Sequence, residues 1–472
     1  MGLNTTIYHE ILKKYFATSM RTNLRGTYPI YRDEAEAGIV YVADLLTQMR
    51  NMRKWKPEEG VVQVGFTGAE LAALYIEAIN KVLASGIVHT YVGVVDIQSM
   101  VPQEKFAEQK KRSRASNIVP YGTDCLFCDA GVIEGYRAKC ALLRSQGLEP
   151  TEQNLAPFAT LIETERVFTN RRLRTELYTY FCDYFARNPY SFVKGSRVVI
   201  DSQEGFYFTV KDGVAEYVPF ERAFGEADLQ MMVWVHHYAW KHAIWLQSID
   251  RDMIAIILAY LFRQTRRLKK KEITHLPKRI TCWQDFTKGF DMTHLIAEMT
   301  EHHAWHPLHF IVACILCGTD FVDKTTLTNK ISVPMVFWAV LGPGRNLVRN
   351  ILDPVVGSAQ LQLVLQAVYT EQYDESKDMF GYSRQDAWAL DQLAKIKALK
   401  QKRVAAGRQQ RPSEYEPLPV EQLHEIAAKR RAKVMRMPDA AEIERVHPSL
   451  VFHIKYWMPV FYSEDSSLNV PE

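Results

Sequence analysis

Two apolar, β-branched runs separated by an amphipathic helix constrain the fold of this chain more than any other feature. Residues 37–46 (AGIVYVADLL) predict one strand, residues 68–86 predict a helix that ends at a glycine, and residues 87–96 (IVHTYVGVVD) predict a buried strand. A strand, a helix and a second strand in succession are typical of a parallel sheet, because parallel neighbours need a long crossover connection. The chain is therefore expected to have an α/β fold, in which active sites lie at the carboxyl ends of the strands.

The same alternation of strands and helices continues downstream. Residues 196–218 predict strands joined by a hairpin turn at 211–213, residues 225–240 predict a helix, and residues 243–250 predict a further strand. The segment 116–200 shows no clear periodicity and is interpreted as an insertion.

Length sets the expected domain organisation. With 472 residues the chain can form one large domain with a substantial core and a second element. Beyond about residue 345 the sequence becomes helical and then polar and basic. We therefore expect a catalytic domain over residues 1–345, with the insertion around 116–200, and a mainly helical, basic region over residues 346–472.

The composition is that of an ordinary soluble globular protein. Hydrophobic residues make up 47% and charged residues 24%, and the net charge of +4 permits a nucleic-acid partner without requiring one. No apolar run reaches the roughly 18–20 residues of a membrane span. Seven cysteines, an odd number, do not suggest a disulfide framework. We expect a nuclear or cytoplasmic protein with no membrane partner.

Short acidic clusters follow most of the apolar runs, so their carboxylates are expected at the ends of buried elements. The candidate metal ligands are Asp44, Asp96, Glu226, Asp228, Asp250, Asp252 and Asp320. Carboxylates are seldom buried unless they are paired or bound to metal, and converging carboxylates repel one another unless cations neutralise them. Oxygen ligands suit Mg²⁺ or Mn²⁺. The pattern predicts a metal-dependent phosphoryl-transfer site, whereas helix caps and turns account for most single aspartates.

Two of the acidic clusters share one spacing. GEAD places Glu226 and Asp228 two residues apart, and IDRD does the same for Asp250 and Asp252. On a regular helix such residues diverge by about 200°. They can serve one site only where an element begins or ends, so at least one pair is predicted to lie at such a boundary.

The order of these motifs resembles the 5′-nuclease superfamily, which includes flap endonucleases, related repair nucleases and 5′→3′ exoribonucleases. The motifs that carry the resemblance are, in chain order, the N-terminal MGL before an amphipathic helix, VADLL, VVDIQSMVPQEKFAEQKKRSRA, GEADLQ, SIDRDM and CGTDF. They extend over about residues 1–325 with a large unmatched middle. Each motif is weak alone, and the ordered set is more specific.

The resemblance implies a PIN-like fold, with a central, mostly parallel sheet flanked by helices and a helical C-terminal extension. It also implies two divalent ions, Mg²⁺ or Mn²⁺. Carried over by position, the first four carboxylates, from Asp44 to Asp228, lie around one ion, and Asp250, Asp252 and Asp320 complete the second. Two such ions can generate a hydroxide and stabilise the attacking and leaving oxygens, so the protein needs no nucleophile of its own.

The resemblance also implies basic residues that contact the substrate. The basic segment 104–115 supplies the candidate phosphate contacts Lys105, Lys110, Lys111, Arg112 and Arg114. Lys110 and Arg112 are expected to act in catalysis, because cations beside the scissile phosphate stabilise the negative charge of the transition state. Gly2 is expected to pack near the site. The alternative interpretation of most of these five residues is a solvated helix face.

The predicted function is a structure-specific, flap-endonuclease-like 5′ nuclease that hydrolyses phosphodiester bonds in nucleic acid, with DNA favoured over RNA. The residues after CGTDF lack the Gly-x-Gly of flap endonucleases, whereas exoribonucleases of the superfamily are normally much longer than this chain. Two alternatives therefore stay open: a 5′→3′ exoribonuclease, and a non-catalytic nucleic-acid-binding relative. The motifs do not distinguish a cellular from a virus-encoded member, and they identify no protein partner.

Overall fold

The computed structural model describes part of the chain, and its regular elements lie within that part. The described residues are 16–22, 29–45, 68–97, 100, 138, 141–148, 171–248, 252–267, 277–283, 288–301, 307–316, 336, 340, 351, 356–370 and 440–457. The strands are β1 (Met20–Thr22), β2 (Ile39–Asp44), β3 (Val88–Val94), β4 (Arg197–Asp201), β5 (Phe206–Lys211), β6 (Val214–Pro219), β7 (Ala243–Gln247), β8 (Ile280–Trp283) and β9 (Lys288–Asp291). The α-helices are α1 (Arg32–Ala37), α2 (Gly68–Leu83), α3 (Arg171–Arg187), α4 (Ala227–Tyr238), α5 (Asp252–Arg267), α6 (Met292–Glu301), α7 (Pro307–Leu316), α8 (Gly357–Thr370) and α9 (Ala440–Trp457).

These strands form one mixed sheet in the order β1-β9-β8-β7-β2-β3-β4-β5-β6. The five central strands, from β8 to β4, run parallel, and the outer pairings at both edges are antiparallel. The chain moves outward from β2 to β3 and β4, and later places β7 and β8 on the other side of β2. The strand order therefore reverses between β2 and β7, and ligands bind outside the carboxyl ends of the strands at such a point.

Helices cover both faces of the parallel strands. On one face α2 and α3 pack over a cluster that contains Tyr41 and Tyr91. Val40 and Val42 alternate with Tyr41 and are also fully buried, and α4 packs against β2, β3 and β7. Because successive side chains of a strand point to opposite faces, α4 covers the second face. Burial on both faces explains why these strands read as continuous apolar runs.

The predicted α/β class, with a large central sheet flanked by helices, is confirmed. The sheet is mixed, with a parallel centre and antiparallel edges. The predicted hairpin at 211–213 is also confirmed, and its turn uses positive φ angles at Asp212 (51°) and Gly213 (78°), as tight hairpin turns require. Part of the segment 116–200 belongs to the sheet unit, since α3 packs against α2 and β4 pairs with β3. The expected N-terminal helix and the basic segment 104–115 lie outside the described residues.

The described residues group into two compact units. One comprises Met20–His294 and contains the whole sheet. The other joins the residues before Met20 to Leu295–Met458, and within it Ser19 donates to the carboxylate of Glu298 while α9 packs against α7 and α8. Among the helices in the described segments, none is long and apolar enough to cross a membrane.

A buried ion pair connects β1 to α1. Arg21 Nη1 lies 2.5 Å from Glu34 Oε1, and both side chains are inaccessible to solvent. The Glu34 carboxylate also accepts hydrogen bonds from other parts of the fold. Trp245 Nε1 donates to Oε1 at 3.0 Å, and the backbone N–H of Tyr31 donates to Oε2 at 2.9 Å. Arg21 also donates to Thr281 Oγ1 at 2.6 Å. The pair therefore connects α1 to three strands of the sheet.

Two histidines meet at the amino edge of the parallel strands. His89 Nε2 lies 3.1 Å from His242 Nδ1, and a Cβ at Gly38, whose φ is +69°, would lie 2.9 Å from the His89 ring. Burial lowers the pKa of His89 from its ordinary value of 6.5, and the charge of the neighbouring His242 lowers it further. The fold therefore favours the neutral form of His89.

This histidine pair predicts a loss of stability in mild acid. Because the unfolded chain binds the proton at a higher pH than the folded protein does, stability falls as the pH drops through about 6.5. We expect His89→Gln to reduce the difference between the melting temperatures measured at about pH 7.5 and about pH 5.5. An unchanged difference would show that His89 does not couple folding to pH.

Candidate functional site

The carboxyl ends of the parallel strands form one row. Asp44 pairs with Val94, and Val94 with Asp201. On the other side of β2, Ala43 pairs with Gln247. Because neighbouring strands lie about 4.8 Å apart, residues at these strand ends face the same edge of the sheet.

Two predicted carboxylates lie at the ends of adjacent strands at this edge. Asp44 is the last residue of β2, and Asp96 follows the end of β3 by two residues. Both side chains are half-buried. The sequence prediction that apolar runs deliver these acids to strand ends is confirmed for both residues.

The GEAD segment is attached directly to the end of β3. The backbone N–H of Ala227 donates to Asp96 Oδ1 at 2.8 Å, and the N–H of Ile97 donates to the carbonyl of Gly225 at 2.7 Å. Glu226 is the N-cap residue of α4, with extended backbone angles, and its side chain is 3% exposed. The start of α4 is thereby fixed beside Asp96.

Asp228 connects the same helix start to the end of β7. It lies in the first turn of α4 and is half-buried, and Ser248 Oγ, one residue beyond β7, donates to Asp228 Oδ1 at 3.4 Å. The start of α4 is therefore bonded to the ends of β3 and β7, the two strands that flank β2 in the sheet. The predicted boundary position of the Glu226 and Asp228 pair is confirmed.

The other predicted residues are only partly described. Asp252 is the first residue of α5, which follows β7, and its side chain is half-buried. The candidates that lie outside the described residues are Gly2, Lys105, Lys110, Lys111, Arg112, Arg114, Asp250 and Asp320. In the segments that the structure describes, no three Asp, Glu, His or Cys side chains form a group that could hold a metal ion. The structure thus joins Asp96 to the GEAD segment and that segment to β7.

The donor chemistry of this edge fits a hard divalent cation. Asp44, Asp96, Glu226 and Asp228 supply only carboxylate oxygens, the ligands that Mg²⁺ and Mn²⁺ prefer. Asp96 also has a purely structural use, since its carboxylate accepts a hydrogen bond at the start of α4, where a helix favours negative charge. These two uses are compatible in principle, because a carboxylate has two oxygens and about four lone-pair sites.

A pair of tyrosines lies close to Asp44. The hydroxyl groups of Tyr75 and Tyr91 are 2.6 Å apart and buried. Burial raises the pKa of both phenols, and the charge of the Asp44 carboxylate raises it further. The two hydroxyls therefore stay protonated at neutral pH and add no negative charge beside Asp44.

A second buried ion pair, which the sequence patterns did not predict, lies behind the site. Asp201 ends β4, and Arg222 lies three residues before Gly225; their exposed fractions are 0% and 3%. Arg222 Nη1 lies 3.0 Å from Asp201 Oδ1. One signal was present in the sequence, because Asp201 ends the run RVVID in the same way that Asp44 ends its own apolar run.

Comparison of the sequence with protein-family models and with curated proteins finds no match in either set.

Proposed function

We propose that this chain is a divalent-metal-dependent 5′ nuclease with a PIN-like catalytic domain, and that it hydrolyses phosphodiester bonds in nucleic acid at 5′ ends or junctions. The proposal unites the ordered acidic motifs of the sequence with their position in the fold. Its preferred substrate is a 5′-flap DNA, in keeping with the resemblance to flap endonucleases.

One observation carries the proposal. The acids predicted from sequence to form a metal site, from Asp44 to Asp228, lie at the carboxyl edge of the sheet where the strand order reverses. Asp96 and Asp228 are connected through the start of α4, by the hydrogen bonds to Ala227 and from Ser248. A binding protein has no need of several carboxylates at the one edge that α/β folds use for ligands, so a metal centre explains the arrangement better.

The chain's own contribution is to hold carboxylates around the ions. Following the resemblance, we assign one ion to Asp44, Asp96, Glu226 and Asp228 and a second to Asp250 and Asp252. Because the described side chains do not form a group of three that could hold a metal ion, binding of an ion would have to draw these carboxylates together. When bound, such ions supply a hydroxide at neutral pH and neutralise the charge that develops on the phosphate. The hydrogen bonds of Asp96 and Asp228 to the protein reduce the conformational freedom of these carboxylates, so less ordering is needed when an ion binds.

The test is a cleavage assay with the full-length protein. We expect Mg²⁺ or Mn²⁺ to support cleavage of 5′-flap DNA, and we expect EDTA to abolish it, because carboxylates without an ion would repel a polyanionic substrate. Blunt duplex DNA and 5′-monophosphate RNA, each labelled at either end, are assayed in parallel. The label position separates cleavage from the 5′ end from internal cleavage.

The outcomes distinguish the three candidate functions. Preferential cleavage of flap DNA supports the proposed function, and processive shortening of 5′-monophosphate RNA would assign the chain to the exoribonucleases instead. Binding of nucleic acid that is equal with and without EDTA, with no cleavage of any substrate, would overturn the proposed function in favour of a non-catalytic binding protein.

A further inference from the structure

The buried guanidinium of Arg222 is bonded in every direction. Its Nε donates to the carbonyl of Phe224 at 2.6 Å. Its Nη1 donates to Asp201 twice, to the backbone carbonyl at 3.1 Å and to Oδ1 at 3.0 Å. Its Nη2 donates to the carbonyl of Val95 and, at 3.5 Å, to that of Gly225. Arginine has five N–H donors, and these five acceptors account for all of them.

The acceptors of Arg222 lie next to the candidate metal ligands. Val95 directly precedes Asp96, and Gly225 directly precedes Glu226. One rigid, planar group therefore holds the end of β3 and the start of the GEAD segment at the same time. The backbone of Gly225 is packed closely against that of Met100, because a Cβ at Gly225 would lie 2.4 Å from the backbone carbonyl carbon of Met100.

Asp201 connects this cluster to the body of α4. Its Oδ2 accepts a hydrogen bond from Gln230 Nε2 at 2.8 Å and another from Trp234 Nε1 at 2.7 Å. Gln230 Oε1 in turn accepts from the backbone N–H of Phe224 at 3.2 Å. The helix, the loop before it and the ends of β3 and β4 are thus joined by a single network of buried, satisfied polar groups.

Burying such a network costs free energy, and its net contribution to the stability of the fold is small. Removing two charges from water costs free energy that their mutual attraction does not reliably recover, and well-packed apolar residues often serve stability as well or better. An ion pair of this kind fixes the direction of every group bonded to it, whereas apolar residues do not. At this place in the fold the fixed groups are the neighbours of Asp96 and Glu226.

We propose that Arg222 and Asp201 are positioning residues that set the spacing between Asp96 and the Glu226–Asp228 segment, and so set the divalent-metal affinity of the site. This inference rests on the proposed function, because it assumes that these carboxylates bind an ion. Neither residue contacts the ion or the substrate. Partners that orient ligating carboxylates change metal affinity by roughly 10- to 100-fold when they are altered.

The test measures Mn²⁺ binding to the full-length protein by the loss of the free-ion electron paramagnetic resonance signal. Arg222→Lys keeps the charge but has three donors on a flexible stem in place of the planar fork. We expect it to weaken Mn²⁺ binding by roughly 10- to 100-fold. Asp201→Asn, which keeps the shape of the side chain, is expected to weaken binding in the same direction and serves as a second variant if Arg222→Lys does not fold.

Arg197→Lys is the matched control. Arg197 lies at the amino end of the same strand as Asp201, is half-buried, and donates to the hydroxyl groups of Tyr207 at 3.0 Å and Tyr238 at 3.4 Å. The same substitution at this remote position should leave Mn²⁺ affinity unchanged. Melting temperatures of all variants separate a general loss of stability from a specific loss of metal affinity.

The outcomes keep the two proposals apart. If the wild-type protein retains no Mn²⁺, the proposed metal centre fails and the positioning role fails with it. If the wild-type protein binds Mn²⁺ and both Arg222→Lys and Asp201→Asn bind it equally well, only the positioning role is overturned. Weaker binding in Arg222→Lys or Asp201→Asn but not in Arg197→Lys, with cleavage recovered at saturating Mg²⁺, supports the inference.

Discussion

Replacing Asp228 with asparagine should lower metal-dependent cleavage by roughly 10²- to 10³-fold, the loss that follows when one preorganised electrostatic group is removed from an active site. The amide retains an oxygen that can accept the hydrogen bond from Ser248, which is 3.4 Å long in the wild-type protein. The substitution therefore removes a charge and leaves the local bonding in place. Initial cleavage rates of 5′-flap DNA at a fixed Mg²⁺ concentration measure the effect.

The melting temperature distinguishes a role of Asp228 in metal binding from a role only in stabilising α4. Loss of the charge removes a favourable interaction with the start of α4 and also relieves repulsion from neighbouring carboxylates. These two effects oppose each other, so we expect the melting temperature to change little. If Asp228 served only the helix, Asp228→Asn would lower the melting temperature and leave cleavage intact, and that result would remove Asp228 from the proposed site.

Asp212→Asn provides a control with the same change of charge. Asp212 lies in the hairpin turn between β5 and β6, at the opposite edge of the sheet, and its Oδ1 accepts from the backbone N–H of Gly195 at 3.2 Å. Asparagine tolerates the positive φ of this position and can accept the same hydrogen bond. Cleavage by Asp212→Asn should equal that of the wild-type protein, and a loss there would mean that net charge alone affects activity.

The central strands could be predicted from the sequence because burial on both faces makes successive residues apolar. The runs around Val42 and Val92 are apolar at successive positions, and the turn at Asp212 and Gly213 has residues suited to positive φ angles. The start of α4 was predicted near its true position as well. Residues that are close together in the sequence determine these elements, so the sequence alone is enough to predict them.

The features that escaped prediction depend on distant pairings. β1 is three residues long and pairs Met20 with Phe290, and the short strands β8 and β9 have too few residues to show a period. The same limit applies to the candidate site. The acids Asp44 and Asp96 were predicted from the ends of apolar runs, whereas the pairing of Asp201 with Arg222 joins residues that no local pattern connects.

The second large effect concerns the buried pair of Arg21 and Glu34. We expect Glu34→Ala to lower the free energy of unfolding by about 3–5 kcal/mol, because it leaves the Arg21 charge buried without its partner. It also removes the acceptor for Trp245 Nε1. Glu34→Gln keeps an acceptor oxygen, so we expect a smaller loss, about 1–3 kcal/mol. The midpoint of urea unfolding, followed by tryptophan fluorescence, measures both variants.

The exposed pair on the same helix tests whether burial causes this cost. Arg32 Nε lies 2.7 Å from Glu36 Oε1, and the two side chains are 93% and 64% exposed. Water and salt screen such pairs, which contribute little to stability. Glu36→Ala should therefore leave the urea midpoint unchanged. If Glu36→Ala and Glu34→Ala lowered the midpoint equally, the loss would come from the helix itself, and the buried pair would not be what secures α1 to the sheet.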